Sequence, residues 1–143
     1  MNGKWLTLES QNDLLHLDSE TLRLVSLRSK TAGEQEFIIS RPEHPVFLIH
    51  YLDEARDYQC LSSLQAASIV VSREATPQGI TAQAVYHYTP ELDLAVPVRV
   101  AACPSDPFVR WNINIQNHSG LEIVSVQYPF VVCPYDLGGQ RGS

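Results

Sequence analysis

Lysine is nearly missing from this chain. Lys4 and Lys30 are the only two in 143 residues, and together with eight arginines they face 16 acidic residues for a net charge of −6. Nucleic acid and anionic membranes call for a basic patch that neutralises phosphates. The arginines are scattered from Arg23 to Arg141 with no two adjacent, so no nucleic-acid partner and no membrane partner is expected. Long apolar runs are missing too: nothing approaches the roughly 18 residues of a spanning helix. Residues 1–5 lack the apolar stretch of a secretory signal, which makes a reducing cytoplasm the default location. Cys60, Cys103 and Cys133 are odd in number and far apart, with no C-x-x-C spacing. They read as small, buried or half-buried thiols rather than a disulfide framework or a metal site. The five histidines show neither H-x-H nor H-E-x-x-H spacing, and G-x-S-x-G, P-loop and G-x-G-x-x-G motifs are all absent. No catalytic residue, metal ligand or cofactor is therefore assigned.

Helical periodicity is equally scarce, and the alternation of two that marks half-buried strands takes its place. Leu92, Leu94, Val96, Val98 and Val100 share one face, with Asp93, Ala95, Pro97 and Arg99 on the other. Pro97 cannot donate to a ladder, so an edge strand or a bulge is expected there. Over 108–116, Trp111, Ile113 and Ile115 point one way and Asn112, Asn114 and Gln116 the other. Asn117-His118-Ser119-Gly120 reads as a turn, and 121–128 as the strand returning beside 108–116. Thr76-Pro77-Gln78-Gly79 links strands over 67–73 and 80–88. Residues 46–52 read as a buried strand, and 5–8, 14–18 and 22–28 as short ones, with a further short strand at 36–40. Residues 52–65 read as a loop or a short helix. About nine strands without interposed helices predict an all-β fold of two antiparallel sheets packed face to face. At roughly 150 residues per domain, 1–137 forms one β-sandwich and the Gly-rich 138–143 a tail or linker. A complete (β/α)8 barrel, at roughly 200 residues or more, does not fit in this length.

Two segments carry a resemblance. Leu14-Leu15-His16-Leu17-Asp18 through Leu22-Arg23-Leu24-Val25-Ser26-Leu27 to Thr31-Ala32-Gly33-Glu34 resembles the opening strands of galactose-mutarotase-like β-supersandwich domains. The glycine usual before the second strand is absent, with Thr21 near its place. Residues 108–129, ending Val126-Gln127-Tyr128-Pro129, are similar to a late hairpin of the same domains. Such domains often precede the barrel of glycoside hydrolases, whose catalytic carboxylates lie on that barrel, so the resemblance transfers no catalytic residue. It implies a non-catalytic N-terminal β-sandwich supporting a catalytic barrel absent from this chain. Phe130, Val131, Val132 and Tyr135 would then pack on that missing domain, and the same apolar residues, left bare, would favour a homodimer. Two other readings stand beside it: a free-standing carbohydrate-binding module, and an interaction domain with no sugar contact.

The candidate saccharide contacts are Asn112, Asn114 and Gln116, a stripe of planar polar side chains near Tyr86, His87 and Tyr88. The plainer reading of that stripe is the solvent face of an antiparallel sheet. Asp53, Glu54 and Asp57, with Arg56 among them, form an acidic cluster that reads either as the rim of a sugar groove or as a solvated loop. His50 reads as a core histidine bonded to a backbone group and Trp111 as core. Asn117-His118-Ser119 matches a glycosylation sequon that the absence of a secretory signal would leave unread.

Overall fold

The computed structural model describes residues 5–31 and 35–133. The all-β, antiparallel expectation holds, with eleven strands among the described residues rather than about nine. They are β1 (Trp5–Glu9), β2 (Asp13–Asp18), β3 (Leu24–Ser29), β4 (Leu48–Leu52), β5 (Tyr58–Ser62), β6 (Ser68–Thr76), β7 (Gly79–His87), β8 (Leu94–Ala102), β9 (Arg110–Ile113), β10 (Gln116–Asn117) and β11 (Glu122–Gln127). The two sheets expected are in fact three. One runs β1-β2-β3, the second β11-β4-β5, and the third, five-stranded, runs β6-β7-β8 with both β9 and β10 on the far side of β8.

The long strands form where the alternation is cleanest. On β8 Leu94, Val96, Val98, Val100 and Ala102 are all buried, and on β7 Ala82, Ala84 and Tyr86 match them. Ala82 stands opposite Val100, Ala84 opposite Val98 and Tyr86 opposite Val96. Leu8, Leu15, Leu17 and Leu24 of the first sheet belong to the same core, and β1 touches β8.

Pro97 lies in a central strand, not at an edge. The ladder beside it is the one that breaks. Asn114 N–H donates to the Pro97 carbonyl at 2.9 Å, and the reciprocal bond of an antiparallel pair has no donor. The partner strand is therefore split into β9 and β10 on either side of Asn114 and Ile115, although its register does not shift: Ile113 faces Val98 and Gln116 faces Ala95.

The hairpin expected between 108–116 and 121–128 does not form. The turn is there, held by Ser119 N–H on Asn117 Oδ1 (3.0 Å) and Asn117 Nδ2 on the Leu121 carbonyl (2.9 Å), with Gly120 at φ +81°. Yet β9 and β10 pair with β8, while β11 crosses to β4. The reason lies in β4, where Ile49 is buried and needs strands on both sides; β5 covers one edge and β11 the other. The stretch 52–65 is correspondingly not one loop. It carries β5 and a 3-10 turn at Ser63–Gln65 capped by Ser62. Of the short strand expected at 36–40 only a single bridge remains, Arg28 with Glu36.

Aromatic residues tie the sheets together. Phe47 meets the Tyr86 ring edge-on at 4.9 Å between centroids. The Tyr86 hydroxyl donates to the Thr21 carbonyl in the β2–β3 turn, and the Tyr88 hydroxyl to the Ser62 carbonyl at the end of β5 (2.8 Å). Burial drives both phenols well above their ordinary pKa. In the β2–β3 turn, Asp18 Oδ1 accepts the backbone N–H groups of Glu20 and Thr21. With no glycine nearby, buried Leu22 takes the left-handed conformation, at φ +64°. That conformation costs a leucine about 1–2 kcal/mol, which the burial of its side chain offsets.

Candidate functional site

Because β6, β7, β8, β9 and β10 hold a constant register, the outer face of their sheet falls into rows across the strands. Ser72, Gln83, Arg99 and Asn112 make one row, and Ser68, His87, Ala95 and Gln116 another. Between them run Val70, Val85 and Pro97, with Asn114 bonded to Pro97 at the end. Arg99 Nη2 donates to Gln83 Oε1 at 3.0 Å, which orients both planar groups within their row. All twelve residues are exposed or half-buried, and Val70 is 59% exposed.

The structure thus brings Asn112, Asn114 and Gln116 onto one open surface and adds Arg99, Gln83 and His87 to them. It does not bring in Tyr86 or Tyr88. Both point to the opposite face, where they are buried, and no Phe, Tyr or Trp ring stands in the three rows. Trp111, with Ile113 and Ile115, packs against the core as its alternation predicts. Sequence reasoning places His87 near the stripe but does not reach Arg99 and Gln83, because rows exist only once the register is known.

The other candidate residues sort into structural roles. Asp53 is the hub of the β4–β5 turn: its Oδ1 accepts from Ala55 and Asp57 N–H (2.9 Å each) and its Oδ2 from Gln59 Nε2 (3.1 Å). The backbone bond from Asp57 is the main cause of its lowered pKa. Arg56 leaves the cluster to pair with Glu122 at 2.6 Å. A carboxylate so used in a turn is not poised for acid–base work. His50 is half-buried and meets a side chain rather than a backbone group, with Nε2 3.1 Å from Gln127 Oε1. Cys60 and Cys133 are exposed, against the expectation of buried or half-buried thiols, which half-buried Cys103 meets. Cys103 borders a cavity of about 220 Å³ with Thr81, Asp106 and Arg110. A hydrogen bond to Ser105 (3.1 Å) is the main cause that lowers its thiol. Among the described residues no three His, Cys, Asp or Glu side chains gather as a metal site.

Past β11 the chain stays attached to its own domain. Phe130 N–H donates to the Val46 carbonyl (3.1 Å) and Ile39 N–H to that of Val132 (2.7 Å). Phe130 and Val132 are half-buried, Val131 is 43% exposed, and Tyr135 lies outside the described residues. No helix among the described residues is long and apolar enough to cross a membrane. Compared with protein-family models, with curated proteins and with solved structures, the chain finds no match in any of the three.

Proposed function

We propose that this chain is a non-catalytic β-sandwich domain of a carbohydrate-handling protein, and that the outer face of its five-stranded sheet takes saccharide. The observation that carries this is the apolar row of Val70, Val85 and Pro97 between two polar rows. A pyranose has the same construction, with C–H groups on its faces and hydroxyls around its rim. Ring faces would lie over the valines and proline, while Arg99, Gln83, Asn112, Asn114, Gln116 and His87 offer donors and acceptors to the rim. Without an aromatic plate the binding is weak, with Kd on the order of 1 mM. In the wider reading the domain sits beside a catalytic barrel of a glycoside hydrolase-like protein, with Phe130, Val131 and Val132 on the side that meets it.

The test is a two-dimensional NMR titration with a panel of neutral oligosaccharides. Shifts confined to β6, β7, β8, β9 and β10 are expected, and they should fall away in Arg99→Ala and Asn112→Ala. No shift with any glycan, or shifts elsewhere, defeats the saccharide reading. Turnover of an aryl glycoside by the chain itself would defeat the non-catalytic one.

A further inference from the structure

The five-stranded sheet ends at β6, and that edge has a wall facing it. Ala66, Ala67, Ser68, Ile69 and Val71 line one side of a cleft of about 470 Å³, with Ser19, Glu20 and Thr21 of the β2–β3 turn on the other. Thr21, Ala66 and Ile69 also line a smaller, more enclosed cavity of about 150 Å³, so the two adjoin. The inner cavity is apolar at Val46, Leu64, Ala66 and Ile69, and its charged or ionisable lining is Arg23, His44 and the Tyr86 phenol, with no carboxylate.

The backbone along this edge is available. Pro77 and Gln78 form a two-residue connection in which Thr76 faces Gly79, so that pair is the bonded one and bonded pairs then alternate. Alternation turns the N–H and C=O of Ile69, Val71 and Arg73 away from β7, toward the open side. Farther along, Arg73 stands on the core-facing side of β6, opposite buried Ala82. An inward charge on an edge strand discourages long edge-to-edge pairing and confines an added strand to the Ile69–Val71 half.

Arg23 supplies the selectivity. Its side chain is only 15% exposed, its Nε donates to Ser40 Oγ at 3.3 Å, and Asp18 Oδ2 lies 3.9 Å from Nη2, too far for a hydrogen bond. A guanidinium with five donors therefore retains capacity on the cavity side.

We propose that this cleft binds an extended peptide segment carrying an acidic side chain, added as an antiparallel strand to β6. The residue opposite Ile69 exchanges backbone bonds with it and points to the same inner face. There its carboxylate reaches Arg23 and His44, and its alkyl stem lies on Val46 and Ile69. This site shares strand β6 and Ser68 with the saccharide face but uses the inner face and open edge of that strand, so the two proposals stand or fall separately.

Fluorescence anisotropy with the labelled probe acetyl-Thr-Val-Glu-Val-Thr-amide tests it. Saturable binding below about 1 mM is expected. It should weaken at least about tenfold when the probe's Glu is replaced by Gln, when the Glu nitrogen is methylated, and in the Val71→Pro variant. Val71→Pro removes an outward N–H, which an edge strand tolerates; the methylated probe makes the same test on the unaltered protein. Arg23→Lys should retain more binding than Arg23→Gln. Absence of saturable binding overturns the proposal, as does equal binding of the Gln or methylated probe. Sedimentation showing that a second copy already occupies the edge, as a dimer lost in Val71→Pro, overturns it as well.

Discussion

Replacing Gly79 with alanine would drive a methyl group into the backbone of β8. An ideal Cβ at this position falls 2.3 Å from the Ala102 carbonyl oxygen and 3.0 Å from Cys103 Cα, and φ is +153°. Those atoms cannot step aside cheaply, because Ala102 is paired with Ile80 and 7% exposed. Gly120 is the matched control: its φ is +81°, and nothing lies within 4 Å of a Cβ built there. Gly120→Ala carries only the backbone penalty of about 1–2 kcal/mol, reduced by the 0.4–1 kcal/mol or so that alanine removes from unfolded-chain entropy. Gly79→Ala adds overpacking against backbone, about 1–3 kcal/mol. The expected losses are about 1 kcal/mol for Gly120→Ala and about 3 kcal/mol for Gly79→Ala. At roughly 3 °C per kcal/mol for a chain of this size, Tm should fall by about 3 °C and about 10 °C. Urea unfolding of both variants measures the difference. Equal losses would refute the close-approach account and leave only the backbone conformation.

Tyr88→Phe removes the hydroxyl that donates to the Ser62 carbonyl and should cost about 1–2 kcal/mol by chemical denaturation. At Glu36, burial opposes the charge, but hydrogen bonds from Ser26, backbone Leu27 and Ile38, and Arg28 outweigh it and lower the pKa. This carboxylate's contribution is present at neutral pH and lost as pH falls through its lowered value, so the stability of Glu36→Gln should converge on that of the unaltered chain in acid; a constant gap across pH would contradict it. Tyr86, Tyr88 and Tyr128 have folded-state pKa values raised by burial. Their contribution is complete below the unfolded phenol value of about 10 and is lost as pH rises beyond it. Absorbance at about 295 nm should show these three ionising together with unfolding, not ahead of it.

The parts of the fold legible in the sequence are those governed by alternation along a single strand. Leu94, Val96, Val98 and Val100 could be placed inward from spacing alone, as could Trp111, Ile113 and Ile115, because side-chain direction is a local property. Turn chemistry was local too, at Pro77-Gln78 and at Asn117. Pairing was not. Glu122–Gln127 reads equally well as a strand beside β9 or beside β4, and only the need to cover both edges of β4 decides between them. The candidate face was half legible for the same reason: Asn112, Asn114 and Gln116 share a strand, whereas Arg99, Gln83 and Val85 join them through register. Nothing local could place Thr21 across a cleft from Ile69.

Tyr86 and Tyr88 lie two residues apart on one side of the same sheet, yet their hydroxyls end on different neighbours, Thr21 at the β2–β3 turn and Ser62 at the end of β5. In terms of cooperativity, that short stretch is where all three sheets are coupled. Opening either flanking sheet alone would strand a buried phenol without its acceptor, so the partly open states are the costly ones. The described strands should accordingly melt in one transition, and slow-exchanging amides should be spread over all three sheets with similar opening free energies.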